Sequence, residues 1–281
     1  MQRALIALFK VVPLEVIYAV MALVVPFYMV FNRKGYLAMY HFFRQRLDKG
    51  ALTAVWHVYL NHFRFGQVVL DRFASYAGVR FKMEIEGNEH FLRLCGEEGG
   101  FVMLSSHVGN YEQAGYVLRP EGKSYNALVY AGETETVMKG RNSRFEGSNI
   151  RMIPVKGDMS HLFLINNALD NGDIVSMPAD RVYGSSKSVT CRFLGANAQF
   201  PLGPFATAVQ KEAATLAIMV MKEGSRRYHA FVRPIKCDTA LPHRKQMEAM
   251  AQAFATTLEE VVERYPHQWY NYYEFWDGTG V

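Results

Sequence analysis

Short apolar runs typical of β-strands alternate with helix-like segments along most of this chain. Strands separated by helices usually pair in parallel, because the helix carries the chain back across the sheet. Half of the 281 residues are apolar, which is enough for one large core. We therefore predict one α/β domain with a mixed, largely parallel central sheet flanked by helices. The predicted strands are VRFKMEIEG (79–87), FVMLSS (101–106), YNALVYA (125–131), IRMIPV (150–155), GDIVSMPA (172–179), SVTCRFLG (188–195) and YHAFVRPI (228–235), and the predicted helices lie within 36–76, 88–100, 133–147, 158–171, 203–213 and 243–265.

Residues 14–31, LEVIYAVMALVVPFYMVF, form an apolar run in which Glu15 is the single charged residue. A run of this length is at the lower limit for crossing a bilayer core, so it predicts either a tilted transmembrane helix or a helix lying in the interface. A buried N-terminal core helix is the alternative, and extraction without detergent would favour it. We predict an N-terminal membrane anchor in residues 1–35 and the main domain in residues 36–281.

The charge distribution indicates on which side of a membrane the main domain lies. Basic residues are more frequent after the apolar run than before it, so the positive-inside rule favours the cytoplasm. Three cysteines without a CxxC pair also favour a reducing compartment. The net charge of +5 favours an anionic partner such as a membrane surface, and the chain lacks the Lys/Arg runs of nucleic-acid-binding proteins. The basic residues are Arg3 and Lys10 before the run and Arg33, Lys34, Arg44, Arg46 and Lys49 after it.

The segment MLSSHVGNYEQAGYVL (103–118) joins a predicted buried strand to a predicted helix through a polar turn. His107 and Glu112 are five residues apart, which on one helix separates them by about 140°. Their side chains can therefore meet only if His107 lies outside the helix. Gly109 permits a sharp turn and Asn110 is a favourable N-cap, so we predict His107 at the strand end and Glu112 in the first helical turn.

A histidine oriented by a carboxylate at the end of a parallel strand is suited to general base catalysis. We expect His107 to act on a hydroxyl group of the substrate, because the chain offers no evident nucleophile of its own. Ser105 and Ser106 lack the G-x-S-x-G context, and Cys191 has no local partner. The alternative is structural: an acidic residue in the first turn of a well-capped helix, beside a buried histidine.

With HVGNYE (107–112) in place, the chain resembles the bacterial lipid A biosynthesis acyltransferases, the late-acyltransferase branch of the H-x4-D/E acyltransferases. H-x4-E alone is a weak signal, but the resemblance extends over nearly the whole chain in the same order. It covers the N-terminal apolar segment and the aromatic-rich helices, then IEGNEHFLRLCGEEGGFVMLSSHVGNYEQAG (85–115), INNALDNGDIVSMPADRVYGSSKSVTCRFLG (165–195), FPLGPFATAVQKEAATLAIMV (200–220) and RYPHQWYNYYEFW (264–276).

The resemblance implies an acyltransferase domain in residues 36–281, on the cytoplasmic face of an inner membrane. It would move a fatty acyl group from acyl-carrier protein, or from acyl-CoA, to a hydroxyl of a lipid A precursor or related glycolipid. His107 would take the proton of that hydroxyl and Glu112 would orient His107. The oxyanion would be stabilised by N–H groups near 109–111 or by an arginine. The substrate contacts implied by the resemblance are Asn110, Arg144, Asp180 and Arg181.

Two departures from the family pattern leave the acceptor open. Asp180-Arg181 stands where the family commonly has Gln or His-Asp, and NYYEFW (271–276) replaces the usual basic residues after the Pro-x-Gln motif. Another membrane lipid or an acyl conjugate is therefore an alternative acceptor. A lipid or thioester hydrolase is the alternative enzyme, and a membrane-bound lipid-binding protein is the non-catalytic alternative. No ligand spacing or phosphate-binding glycine loop in the sequence predicts a metal or another cofactor.

Overall fold

The computed structural model describes residues 2–113, 118, 120, 122–130, 149–155, 157–182 and 187–276. The helical stretch predicted near 133–147 lies outside these residues. The N-terminal part is helical, as its periodicity predicts, and the range 36–76 holds two α-helices joined by a π-helical turn. These elements are α1 (Gln2–Val11), α2 (Leu14–Phe31), α3 (Arg33–His41), the π turn (Phe42–Arg46) and α4 (Ala51–Tyr76).

A seven-stranded sheet forms the centre of the main domain. Its strands are β1 (Lys82–Glu86), β2 (Phe101–Ser105), β3 (Tyr125–Tyr130), β4 (Ile150–Val155), β5 (Ile174–Pro178), β8 (Ala214–Lys222) and β9 (Arg227–Pro234). Across the sheet they follow the order β1-β9-β8-β2-β5-β3-β4. Every neighbouring pair is parallel except β8 and β9, which form an antiparallel pair. The predicted mixed, largely parallel sheet is therefore confirmed.

One predicted strand lies outside this sheet. SVTCRFLG contains β6 (Ser188–Phe193), which pairs with β7 (Ala196–Pro201) in a separate two-stranded hairpin. Leu194 and Gly195 connect the two strands, both with positive φ, as a type I′ turn requires. The small and polar residues of β7 have low strand propensity, which is why the sequence did not predict this strand.

Helices cover both faces of the central sheet. Strand β2 is buried along its whole length: Val102 and Leu104 belong to the core on one face, and Phe101 and Met103 to the core on the other. Burial on both sides explains why FVMLS is apolar at consecutive positions instead of alternating. The remaining helices are α5 (Asn88–Gly96), α6 (Ser160–Asp170), α7 (Gly203–Gln210) and α8 (His243–Arg264).

Within the described residues, α2 is the one helix long and apolar enough to cross a membrane, judged by length and composition. It packs against α4, and most of its remaining surface is apolar and exposed. Both ends of α2 contact the main domain. Near its start, Glu15 Oε1 lies 3.3 Å from Arg226 Nε; near its end, the Tyr28 ring lies 5.9 Å from the His62 ring. The exposed apolar residues include Val16, Val20, Leu23, Val24, Phe27, Val30 and Phe31.

Candidate active site

His107 and Asp180 follow the carboxyl ends of two neighbouring parallel strands. Because β2 and β5 pair with Ser105 opposite Pro178, the residues two positions further along come to lie opposite each other. His107 Nδ1 lies 2.8 Å from Asp180 Oδ1, and the His107 backbone N–H donates to Asp180 Oδ2 at 2.8 Å. The Asp180 side chain is fully buried, whereas the His107 side chain is 28% exposed. The carboxylate thus fixes the ring and leaves Nε2 as the nitrogen available to a substrate.

The electrostatics of this pair favour an ionised Asp180. Burial raises the pKa of the Asp180 carboxyl, but the charge and hydrogen bonds of His107, with the charge of Arg181, outweigh burial and hold this pKa below its usual 3.8. An ionised carboxylate on Nδ1 stabilises an imidazolium that forms when Nε2 accepts a proton. A pair with this geometry is chemically suited to general base catalysis.

The turn after His107 is held by backbone hydrogen bonds on both sides. Gly109 has a φ of +55°, and a Cβ at this position would collide with the carbonyl oxygen of Val220. The Gly109 N–H donates to the Gln268 carbonyl at 2.7 Å, and the Asn110 N–H donates to the Val220 carbonyl at 2.7 Å. Two of the N–H groups expected to stabilise an oxyanion are thus already bonded within the protein.

Glu112 lies in the first turn of a helix that begins at Tyr111. Its Oε2 is 2.6 Å from Nε of Arg72 on α4, and both side chains are largely buried. The Tyr111 ring meets the His107 ring edge-on, with centroids 6.0 Å apart. The carboxylate found on Nδ1 of His107 is that of Asp180, and the orienting role of Glu112 stays a prediction.

The other predicted substrate contacts have protein partners or lie outside the described residues. Nδ2 of the buried Asn110 donates to the Tyr228 hydroxyl at 3.1 Å. Arg181 donates from Nε to Asn271 Oδ1 at 2.7 Å and from Nη2 to the Tyr270 carbonyl at 2.6 Å. Arg181 thereby joins the loop after β5 to the C-terminal segment. Arg144 lies outside the described residues. Substrate contacts by these residues stay predictions.

A buried ionic network lies behind the turn. Lys222 Nζ is 2.5 Å from Asp71 Oδ2, and both side chains are fully buried. The Asp71 carboxylate also accepts hydrogen bonds from the hydroxyls of Tyr18 and Tyr228, and Tyr228 is the partner of Asn110. The network therefore joins α2, α4, β8 and β9 to the turn that carries His107.

Sequence reasoning missed two features of this site. Asp180 was expected to contact substrate, but its partner is His107. Gln268 belongs to the Pro-x-Gln motif, and its side chain bonds both the N–H and the carbonyl of Lys222 at 2.8 Å, while its own carbonyl holds Gly109. The motif was visible in the sequence, but its role depends on strand β8 lying beside it.

A histidine–carboxylate pair at the carboxyl edge of an α/β sheet is an arrangement typical of enzymes that use a general base. Residues 67–276 match the family model described as bacterial lipid A biosynthesis acyltransferase. The chain belongs to this family, and it is an acyltransferase acting on lipids.

Among solved structures, the chain is similar to the crystal structure of the 1-acyl-sn-glycerophosphate (LPA) acyltransferase PlsC from Thermotoga maritima. The identity is 12%, the match covers 87% of this chain and 98% of that chain, and the TM-score is 0.42. None of the curated proteins matches the chain.

Proposed function

We propose that this chain transfers a fatty acyl group from acyl-carrier protein, or from acyl-CoA, to a hydroxyl group of a lipid A precursor or related glycolipid. The observation that carries the proposal is the pairing of His107 with a buried, ionised Asp180 at the sheet edge of a lipid acyltransferase. A base of this kind needs a proton to remove, and the acceptor hydroxyl supplies it.

The proposed reaction proceeds by attack of the acceptor hydroxyl on the thioester carbonyl. Nε2 of His107 takes the hydroxyl proton as the new C–O bond forms, and Asp180 stabilises the resulting imidazolium. The tetrahedral intermediate then breaks its C–S bond, and the proton on Nε2 passes to the leaving thiolate. Atoms and charges balance without a metal or redox partner.

The other site residues have supporting roles in this proposal. Asp180 is the positioning residue for His107. Glu112 is retained as a catalytic residue that orients His107, and its ion pair with Arg72 anchors it to α4. We retain Asn110, Arg144 and Arg181 as substrate-binding residues. Two of them border the His107 pair: Asn110 lies in the same turn and Arg181 follows Asp180.

We also propose that the enzyme is attached to the cytoplasmic face of the inner membrane through residues 1–35, with the acyltransferase domain in 36–281. Because both ends of α2 contact the main domain, a domain on one side of the bilayer keeps the whole helix on that side. We therefore infer that α2 lies in the interface, with its exposed apolar face in the lipid, and does not cross the bilayer.

Mass spectrometry of total lipids from cells with and without the gene tests the proposal. We expect one lipid species to be replaced by its precursor, lighter by one acyl group. Restoring the gene should restore the species, and a His107→Ala gene should not. Unchanged lipids would contradict the proposal. The purified enzyme with an acyl-carrier thioester distinguishes transfer from hydrolysis, since acceptor-independent release of fatty acid as the main activity would favour a hydrolase.

A further inference from the structure

A cavity of about 470 Å³ opens beside the β8–β9 turn, at the same edge of the sheet as His107. Its volume is within the range of ordinary small-ligand sites. The walls come from α4, the β8–β9 turn, the end of α8 and the segment after it. The charged and aromatic residues that line it are Arg64, Lys222, Glu223, Arg227, Arg264, Tyr265 and His267.

The cavity carries an excess of positive charge. Glu223 is ionised, because a hydrogen bond from the Tyr265 hydroxyl, with His229 and Arg227 nearby, outweighs burial and lowers its pKa. Its Oε2 lies 3.5 Å from Nε of Arg227, so these two charges offset each other. Lys222 is offset by its ion pair with Asp71. The charge that remains belongs to Arg64 and Arg264.

Arg64 and Arg264 both have neutral partners. Arg64 Nη1 donates to the amide oxygen of Gln67 at 2.9 Å. The Arg264 guanidinium lies over the rings of Phe231 and Tyr265, 5.2 Å from each centroid. Within the described part of the chain, neither arginine has a carboxylate within ion-pair distance. Arginine binds phosphate with paired N–H donors, so two uncompensated guanidinium groups at one cavity favour a phosphate ligand.

The pKa of His267 is lowered in part by the positive charge around the cavity. Its Nε2 lies 2.5 Å from Nδ1 of His57, and burial, followed by the charges of His57, Arg64 and Lys49, lowers its pKa to about 4. His267 is therefore neutral at physiological pH and adds a polar, uncharged wall. An anion beside Arg64 would offset the positive field that His267 experiences.

We propose that this cavity binds the phosphate group of a membrane lipid headgroup through Arg64 and Arg264. A lipid is favoured over a soluble anion because the β8–β9 turn that lines the cavity also contacts α2, through the ion pair between Arg226 and Glu15. With α2 in the interface, the cavity lies at the level of the headgroups. The inference rests on the proposed function only in taking α2 as membrane-bound. The lipid is either the acceptor itself or a neighbouring anionic lipid.

Calorimetric titration of the detergent-solubilised full chain with dihexanoyl phosphatidic acid tests this site. Dihexanoylglycerol, which lacks the phosphate, and inorganic phosphate serve as comparison ligands. We expect phosphatidic acid to bind most tightly. The double variant Arg64→Gln/Arg264→Gln should bind it at least about tenfold more weakly, because two charge-assisted contacts are lost. Arg64→Lys/Arg264→Lys should recover part of the affinity. The matched control is Arg244→Gln, on the same helix as Arg264 but roughly 30 Å away, which should bind like the wild type.

Equal affinity of the wild type and the double glutamine variant would overturn the site. Equal affinity for dihexanoylglycerol would overturn the role of the phosphate, and equal affinity for inorganic phosphate would overturn the lipid assignment. Should the double variant fail to fold, Arg264→Gln alone, at an exposed position, gives the same comparison. These titrations contain no acyl donor, so their outcome is independent of the proposed reaction.

In the transfer assay, a raised KM for the acceptor with unchanged kcat in the double glutamine variant identifies the bound lipid as the acceptor. An unchanged KM identifies a neighbouring lipid.

Discussion

The carboxylate of Asp180 holds His107 at two points, the ring Nδ1 and the backbone N–H, each at 2.8 Å. A two-point contact fixes both the tautomer and the position of the imidazole. Because Asp180 is fully buried, no bulk water competes for these bonds. Asp180 therefore makes the contact with Nδ1 of His107 that the H-x4-E spacing alone would suggest for Glu112.

Variants at Glu112 and Arg72 distinguish a direct catalytic role of Glu112 from a structural one. We expect Glu112→Gln to lower kcat about a hundredfold, and Arg72→Gln, which leaves the carboxylate in place, to lower it much less. Steady-state acyl transfer by the two variants checks this. Equal losses in both would mean that Glu112 acts only through its ion pair with Arg72, which would contradict the predicted orienting role.

The buried ion pair between Lys222 and Asp71 should make a measurable contribution to stability. Lys222→Met leaves the Asp71 carboxylate buried without its countercharge, so we expect a loss of about 3–5 kcal/mol in the free energy of unfolding. Tyr228→Phe removes one hydrogen bond and should cost about 1–2 kcal/mol. Chemical unfolding in detergent measures both. A Lys222→Met protein as stable as Tyr228→Phe would show that Asp71 does not depend on the lysine charge.

Asp180 should contribute to acid sensitivity. Its pKa in the folded protein is below its usual 3.8, so the unfolded chain binds the proton more readily. The stabilisation is fully present above about pH 4 and is lost as the pH falls through the folded pKa. The unfolding free energy of Asp180→Asn should therefore fall less steeply in this window than that of the wild type. Parallel curves would contradict an ionised Asp180.

Thiol labelling near the two ends of α2 shows whether the helix lies in the interface or crosses the bilayer. We expect cysteines introduced at Lys10 and Arg33, in a chain with its three native cysteines replaced, to react with a membrane-impermeant thiol reagent from the same side of inverted inner-membrane vesicles. A transmembrane helix would expose them on opposite sides. Labelling from opposite sides would contradict the interfacial placement.

Local sequence patterns predicted most of the strands, the largely parallel sheet and the positions of His107 and Glu112 around their turn. They did not predict that Asp180 contacts His107, because that contact requires β5 to lie next to β2 with Ser105 opposite Pro178. Strand order and register are set by packing between distant segments, which single-sequence periodicity does not encode. The same reason applies to Tyr18, which periodicity places on an apolar helix and the fold brings to Asp71.

The most direct test of the central claim is the rate of acyl transfer by His107→Ala and Asp180→Asn. The assay uses purified enzyme, an acyl-carrier thioester and a lipid extract from cells lacking the gene. Removing the base should reduce kcat by about a hundredfold to ten-thousandfold, and Asp180→Asn should reduce it by about a thousandfold or more with little change in KM. Asp170→Asn, an exposed partner of Lys211, should behave like the wild type. Wild-type kcat in a folded His107→Ala protein would contradict the account.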